Sequence, residues 1–275
     1  MLLGQLTTVT QESNRSFPTI AFASKHPGIN GSGAFFAKVE DVGDECPAGW
    51  AETQHMVGEN LAQVYFSSAP TLNIIGWRVL WDVTMQDGKR KTYPNGFKSD
   101  KPVGSKTRSR TQVLVAFPDD PDRVFLLGLV GVAKSKCWDN WKPQQGEAGG
   151  CVQYLRRLTD SARAIHGSGV PLAGPWKLTL APHCDSNGKP KITKVGSGQN
   201  TTSVFTFAPA GDPVDFDSQY VGDDTYQKYA NLYDEWIGEW TVEQFDADSD
   251  VIANPNAPAS ANDTNNPFDM DDIPF

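Results

Sequence analysis

The chain has 275 residues, 39% of them hydrophobic and 11% aromatic, which is enough for a sizeable core and excludes a wholly disordered protein. No segment approaches the roughly 20 consecutive apolar residues of a bilayer span, and the start MLLGQLTTVTQESNR lacks the basic flank and apolar run of a secretory leader, so a soluble, cytoplasmic protein is expected. The net charge of −9 is unevenly placed: Asp246 to Phe275 contains seven aspartates and no Lys or Arg, leaving residues 1–245 at only −2.

Taken in chain order, the segments TIAFAS, GAFFAKVE, AQVYF, IIGWRVLWDVTM, TQVLVAF, RVFLLGLVGVA, PWKLTLA and SVFTFA are short apolar runs separated by Gly, Pro, Asn and Asp. They predict strands with turn chemistry between them, and hence a mainly β fold. The glycines of Gly28-Ile29-Asn30-Gly31-Ser32-Gly33 lack the lysine of a phosphate loop and are expected to form a flexible turn. From Trp77 to Met85 the odd positions share one face, which assigns Trp77 and Trp81 to the core. Asp87-Gly88 then marks a hairpin. Asp119, Asp120 and Asp122 could hold a divalent ion for nuclease chemistry, but Pro118 and Pro121 place them in a turn between two strands.

Two segments have helical period. Val152, Leu155, Leu158, Ala162 and Ile165 fall on one face, with Gly167 as a stop. Asp223-Asp224 opens a second helix, expected over 224–244, whose stripe of Tyr226, Tyr229, Tyr233, Trp236, Ile237 and Trp240 is read as a docking face. Beyond Phe245 periodicity fails and Asp, Asn, Ala and Pro dominate, so the tail 246–275 is expected to be disordered. The four cysteines, Cys46, Cys137, Cys151 and Cys184, have no C-x-x-C spacing, and His26, His55, His166 and His183 fit no nucleophile or ligand pattern. No cofactor, metal or catalytic group is expected.

Between Lys89 and Arg110 the bias is reversed. Lys89, Arg90, Lys91, Lys98, Lys101, Lys106, Arg108 and Arg110 are opposed within the tract only by Asp100. Lys106, Arg108 and Arg110 alternate into the strand TQVLVAF and would project from one face at roughly 6.6 Å intervals. That spacing suits successive phosphates of an extended strand, and it equally suits an edge strand protected against aggregation. Tyr93, Phe97, Trp138 and Trp141 stand in polar, lysine-rich surroundings, where exposed rings would offer stacking platforms to any base. Neither helix is basic enough to read a major groove.

The C-terminus Asp269-Met270-Asp271-Asp272-Ile273-Pro274-Phe275 presents a terminal ring and α-carboxylate behind a rigid proline and three acids, a shape for an apolar pocket with a basic rim. It resembles the tip of bacterial single-stranded DNA-binding proteins, in which an acidic linker ends in Ile-Pro-Phe. The body is longer than theirs and is more similar to phage- or plasmid-type relatives. The resemblance implies an enlarged oligonucleotide-binding (OB) barrel over residues 1–245, with the barrel itself from Thr19 to about Ala208, and no catalysis. It implies a role in replication, recombination and repair at the nucleoid or in a phage host's cytoplasm. It also implies recruitment of partner enzymes by Asp269, Asp271, Asp272, Ile273, Pro274 and Phe275, with the tail folding back on the DNA groove. The competing reading is a recombination mediator or adaptor whose body binds protein and whose basic tract only guards an edge.

Overall fold

In the computed structural model, the described residues are 17–24, 33–57, 60–84, 90–94, 106–140, 149–166, 175–195, 201–211 and 215–248. Their strands are β1 (Thr19–Ala23), β2 (Ala34–Lys38), β3 (Ala51–Val57), β4 (Asn60–Ser67), β5 (Thr71–Thr84), β6 (Arg90–Pro94), β7 (Lys106–Phe117), β8 (Asp120–Val130), β9 (Trp176–Pro182), β10 (Ile192–Val195), β11 (Thr202–Phe205) and β12 (Phe207–Ala210). The helices are α1 (Val39–Val42), α2 (Cys151–His166) and α3 (Asp223–Asp248), with a wide π-type turn at Ala133–Trp138. The fold is mainly β, as the turn-punctuated apolar runs predict. Among the described residues no helix is long and apolar enough to cross a membrane.

Ten strands form one sheet in the order β12-β9-β5-β7-β8-β1-β2-β4-β3, with β6 added to β5, while β10 and β11 pair separately as a hairpin. β5, β7 and β8 are consecutive antiparallel neighbours, and β9 returns through α2 to lie beside β5. This is the 4-1-2-3 order of a Greek key. β5 is long enough to serve two partners on one side, pairing β9 through Thr71–Ile74 and β6 through Leu80–Thr84. A bulge between Ile74 and Gly76 separates the two halves, and such an extra residue bends the strand from one partner toward the other. The β5–β6 pairing is the hairpin that Asp87-Gly88 predicts, although 85–89 themselves lie outside the described residues.

Alternation decides what is inside. Val113, Val115 and Phe117 of β7 and Phe125, Leu127 and Leu129 of β8 point into a core shared with Ile20, Phe35, Leu72, Ile74, Leu178 and Phe207. α2 closes it with Cys151, Val152, Leu155, Leu158 and Ala162. Ile165, expected on the same face, is 70% exposed, because the last turn runs past the core it packs on. On the opposite face of β5, β7 and β8, the residues Ile75, Leu114, Ala116 and Val124 are covered by Tyr229 and Trp236 of α3, with Tyr233 and Ile237 beside them. The aromatic stripe is therefore a docking face as far as Ile237, and the side chain of Trp240 lies outside the described residues.

The N-terminal strands enlarge this sheet. β1 runs parallel to β8 and antiparallel to β2, and β2, β4 and β3 continue outward. Phe22 packs on Phe35 and Phe207, and the Phe205 N–H donates to the carbonyl of Ser24 at 2.7 Å, bringing the end of β11 against the end of β1.

Candidate nucleic-acid interface

The basic tract enters β7 with the alternation its sequence predicts. Thr107, Ser109 and Thr111 are buried, and Arg108 is exposed on the other face. Register with β5 sets Lys106 opposite Thr84, Arg108 opposite Asp82 and Arg110 opposite Leu80. The Arg110 Nε lies 3.0 Å from the Asp82 Oδ2, a partly exposed ion pair. The sequence shows only Asp100 within the tract; pairing with β5 brings a second acid to it across strands. The side chain of Lys106 lies outside the described residues. Arg108 leans toward β8: its Nη2 lies 3.9 Å from where a Cβ on Gly131 would stand.

The row continues with a cation absent from the sequence-based site. Arg78, opposite Gln112, donates through Nε to the Gln112 Oε1 at 3.0 Å, and its guanidinium lies 3.9 Å over the ring of Trp236. α3 thus caps this end of the cationic face. Its sequence signal is the single Arg in an otherwise apolar alternating strand, in phase with Asp82 and Thr84.

Of the other expected site residues, the backbones of Arg90, Lys91 and Tyr93 lie on β6, in register with Thr84, Val83 and Trp81. Their side chains, and all of Lys89, Phe97, Lys98, Lys101 and Trp141, lie outside the described residues, as do Asp269, Asp271, Asp272, Ile273, Pro274 and Phe275. Trp138 requires a correction. It is completely buried, edge-on to Trp77 at 5.7 Å, because the π-type turn after β8 carries it beneath the sheet with Cys137. No base can stack on it.

A separate basic patch lies in the connection between β9 and β12. The hairpin β10–β11 and the turn before it carry Lys189, Lys191 and Lys194, with Lys189 and Lys194 exposed. Asp185 Oδ1 accepts from the N–H groups of Asn187 and Lys189 and fixes that turn.

The acids of the β7–β8 turn have separate partners: Asp119 accepts from the Ala48 N–H at 3.0 Å, Asp120 pairs with Arg123 at 3.4 Å, and Asp122 pairs with Lys228 of α3. Among the described residues no three His, Cys, Asp or Glu side chains are grouped to hold a metal ion. Cys137 accepts from the Phe207 N–H, and burial raises its thiol to about 12; burial likewise holds the Cys151 thiol well above its ordinary value.

Compared with protein-family models, with curated proteins and with solved structures, the chain finds no match.

Proposed function

We propose that this protein binds single-stranded DNA without sequence preference, as a coating protein of replication, recombination and repair, and recruits partner enzymes through Asp269–Phe275. The observation that carries the reading is the alternation of β7, which buries Thr107, Ser109 and Thr111 and sets Arg108 exposed and Arg110 partly exposed on the other face, with Lys106 in the same register phase. Such a row matches an extended polyanion at about 6.6 Å per step.

The strand order supports an OB barrel as its scaffold. β5, β7, β8, β9 and β12 supply five strands in Greek-key order around one core, and OB proteins bind oligonucleotides on their second and third strands and on the first and last connections. On this reading the second and third strands are β7 and β8. The first connection is 85–105, which holds most of the basic tract, and the last is the segment bearing Lys189, Lys191 and Lys194. The barrel is then confined to about residues 71–210, and β1 to β4 are an N-terminal extension rather than its first strands.

Anisotropy of a labelled oligo(dT) tests the proposal. Three phosphate contacts on a single strand give a slope of about −2 in log K against log[salt], a roughly 20-fold loss of affinity between 50 and 200 mM. Arg108→Ala should lower that slope by about 0.7 and weaken all sequences alike. Binding that is absent at every salt concentration, even after residues 249–275 are removed, would reject the proposal and leave the adaptor reading.

A further inference from the structure

One direction across the cationic face is closed and the other is open. Toward Leu114 and Ala116 the outer face of β7 is sealed by α3. Toward β8 it is not. Strand register sets Gln112 beside Gly128, Gly128 beside Ala21, and Ala21 beside Phe36. Facing residues of paired strands project to the same side, so these four form one row on the outer surface. Its floor is low. Gly128 is exposed, no heavy atom lies within 4 Å of where its Cβ would be, and its neighbour Ala21 carries a single methyl. Glycine within a strand commonly marks a place where another chain's backbone comes close. Val130, two residues further along the same face, is 36% exposed.

The two banks of this trough differ in chemistry. On one side stands Arg108, which leans toward it over Gly131, with Arg110 beside it, its Nε paired to Asp82. On the other is the half-buried ring of Phe36, packed against His55 at a centroid distance of 4.8 Å. Lys38, next along that face, is neutralised by Glu40 at 2.8 Å, so the far bank offers a ring and little net charge. At about 4.8 Å per strand, the row from Gln112 to Phe36 spans about 14 Å, which is roughly two nucleotide steps of an extended strand. A cationic bank, a low floor at Gly128 and Ala21 and an aromatic bank together fit a sugar-phosphate backbone on one side and an unstacked base on the other.

We infer that a single-stranded polynucleotide lies over β8 and β1 in this trough, with its phosphates at Arg108 and Arg110 and a base reaching Phe36, so that the N-terminal extension is part of the binding surface. The inference rests on the single-strand reading above and assigns its path.

The test uses the full chain and labelled oligo(dT). Gly128→Gln has room to be built and adds bulk without charge, so it should leave circular dichroism and the unfolding midpoint unchanged and weaken oligo(dT) binding about tenfold. Gly128→Ala, whose methyl does not fill the trough, should bind as the parent does. Phe36→Leu keeps an apolar contact for His55 and should cost between about fivefold and a hundredfold, the loss of one stacked base, while Phe36→Tyr restores affinity. If the parent binds and both Gly128→Gln and Phe36→Leu bind equally well, the path is wrong and the single-strand reading stands. If the parent does not bind, both fall.

Discussion

Burial divides the four cysteines into two chemical classes. Cys46 and Cys184 are exposed, whereas Cys137 and Cys151, the first residue of α2, are buried in the core. Ionising a thiol there places charge where water cannot solvate it, which raises Cys137 to about 12 and Cys151 in the same direction. At pH 8 a disulfide-exchange reagent should therefore modify two thiols quickly and two only as fast as the protein unfolds; four fast thiols would contradict the core placement. The same shifts have a pH signature. Above pH 9 the unfolded chain releases thiol protons that the native state keeps, so the Cys137 contribution to stability is full below about 9 and is lost toward 12, by up to about 1.4 kcal/mol per pH unit, and Cys151 acts in the same direction. Denaturant midpoints from pH 8 to 10.5, with Cys137→Ser as control, measure it.

At the scale of elements, α3 is seated by one close approach. The ring of Tyr233 lies where a Cβ on Gly76 would be, and its hydroxyl donates to the Trp77 carbonyl at 2.9 Å. Tyr229 anchors the preceding turn, donating to the Pro121 carbonyl and accepting from the Asn73 amide. Gly76→Ala must push the ring out, as overpacking does, and should cost roughly 1–3 kcal/mol in the denaturant midpoint, with much of the loss relieved when Tyr233→Ala is combined with it. An unchanged midpoint would mean that α3 is not held there. The helix itself is legible in the sequence from two aspartates at its start and rings at i, i+3 and i+4 spacing, but its end is not: it runs to Asp248, past the expected 244 and into the segment expected to be disordered, because no glycine or proline stops it there. Most strands are legible for the same reason. β3 is not: AETQHMV is polar and largely exposed, and it is a strand only because β4 offers it an edge. Nor is the trough, because the adjacency of Gly128, Ala21 and Phe36 arises from a parallel pairing between segments more than 100 residues apart, which no local pattern encodes. Trp138 shows the converse failure: neighbouring lysines read as a wet surface, while a π-type turn carries the ring inward.

At the scale of the molecule, α3 connects the acidic tail to the basic face. Its Tyr229 sits by Asn73 at the start of β5 and its Trp236 by Arg78, so the helix runs along β5 toward the end where Thr84 faces Lys106 and Arg90, and it touches β6. From Trp236 to Asp248 a helix advances about 18 Å, and from Arg78 to Thr84 a strand advances about 20 Å, so α3 ends level with the cationic row. Residues 249–275 carry five aspartates and no Lys or Arg, and tethering at that point gives them an effective concentration on the order of millimolar against any polyanion bound there. Removing 249–275 leaves α3 whole and should tighten oligo(dT) binding several-fold at 50 mM salt. The gain should vanish near 300 mM, where the Debye length shrinks below roughly 6 Å. Replacing the five aspartates with asparagine must reproduce the gain if charge is the cause; if only the deletion does so, the tail obstructs by bulk. Deleting Phe275 alone removes one ring and leaves every aspartate in place, so it should leave DNA affinity nearly intact while abolishing partner docking, an outcome that would separate the two roles proposed for the tail.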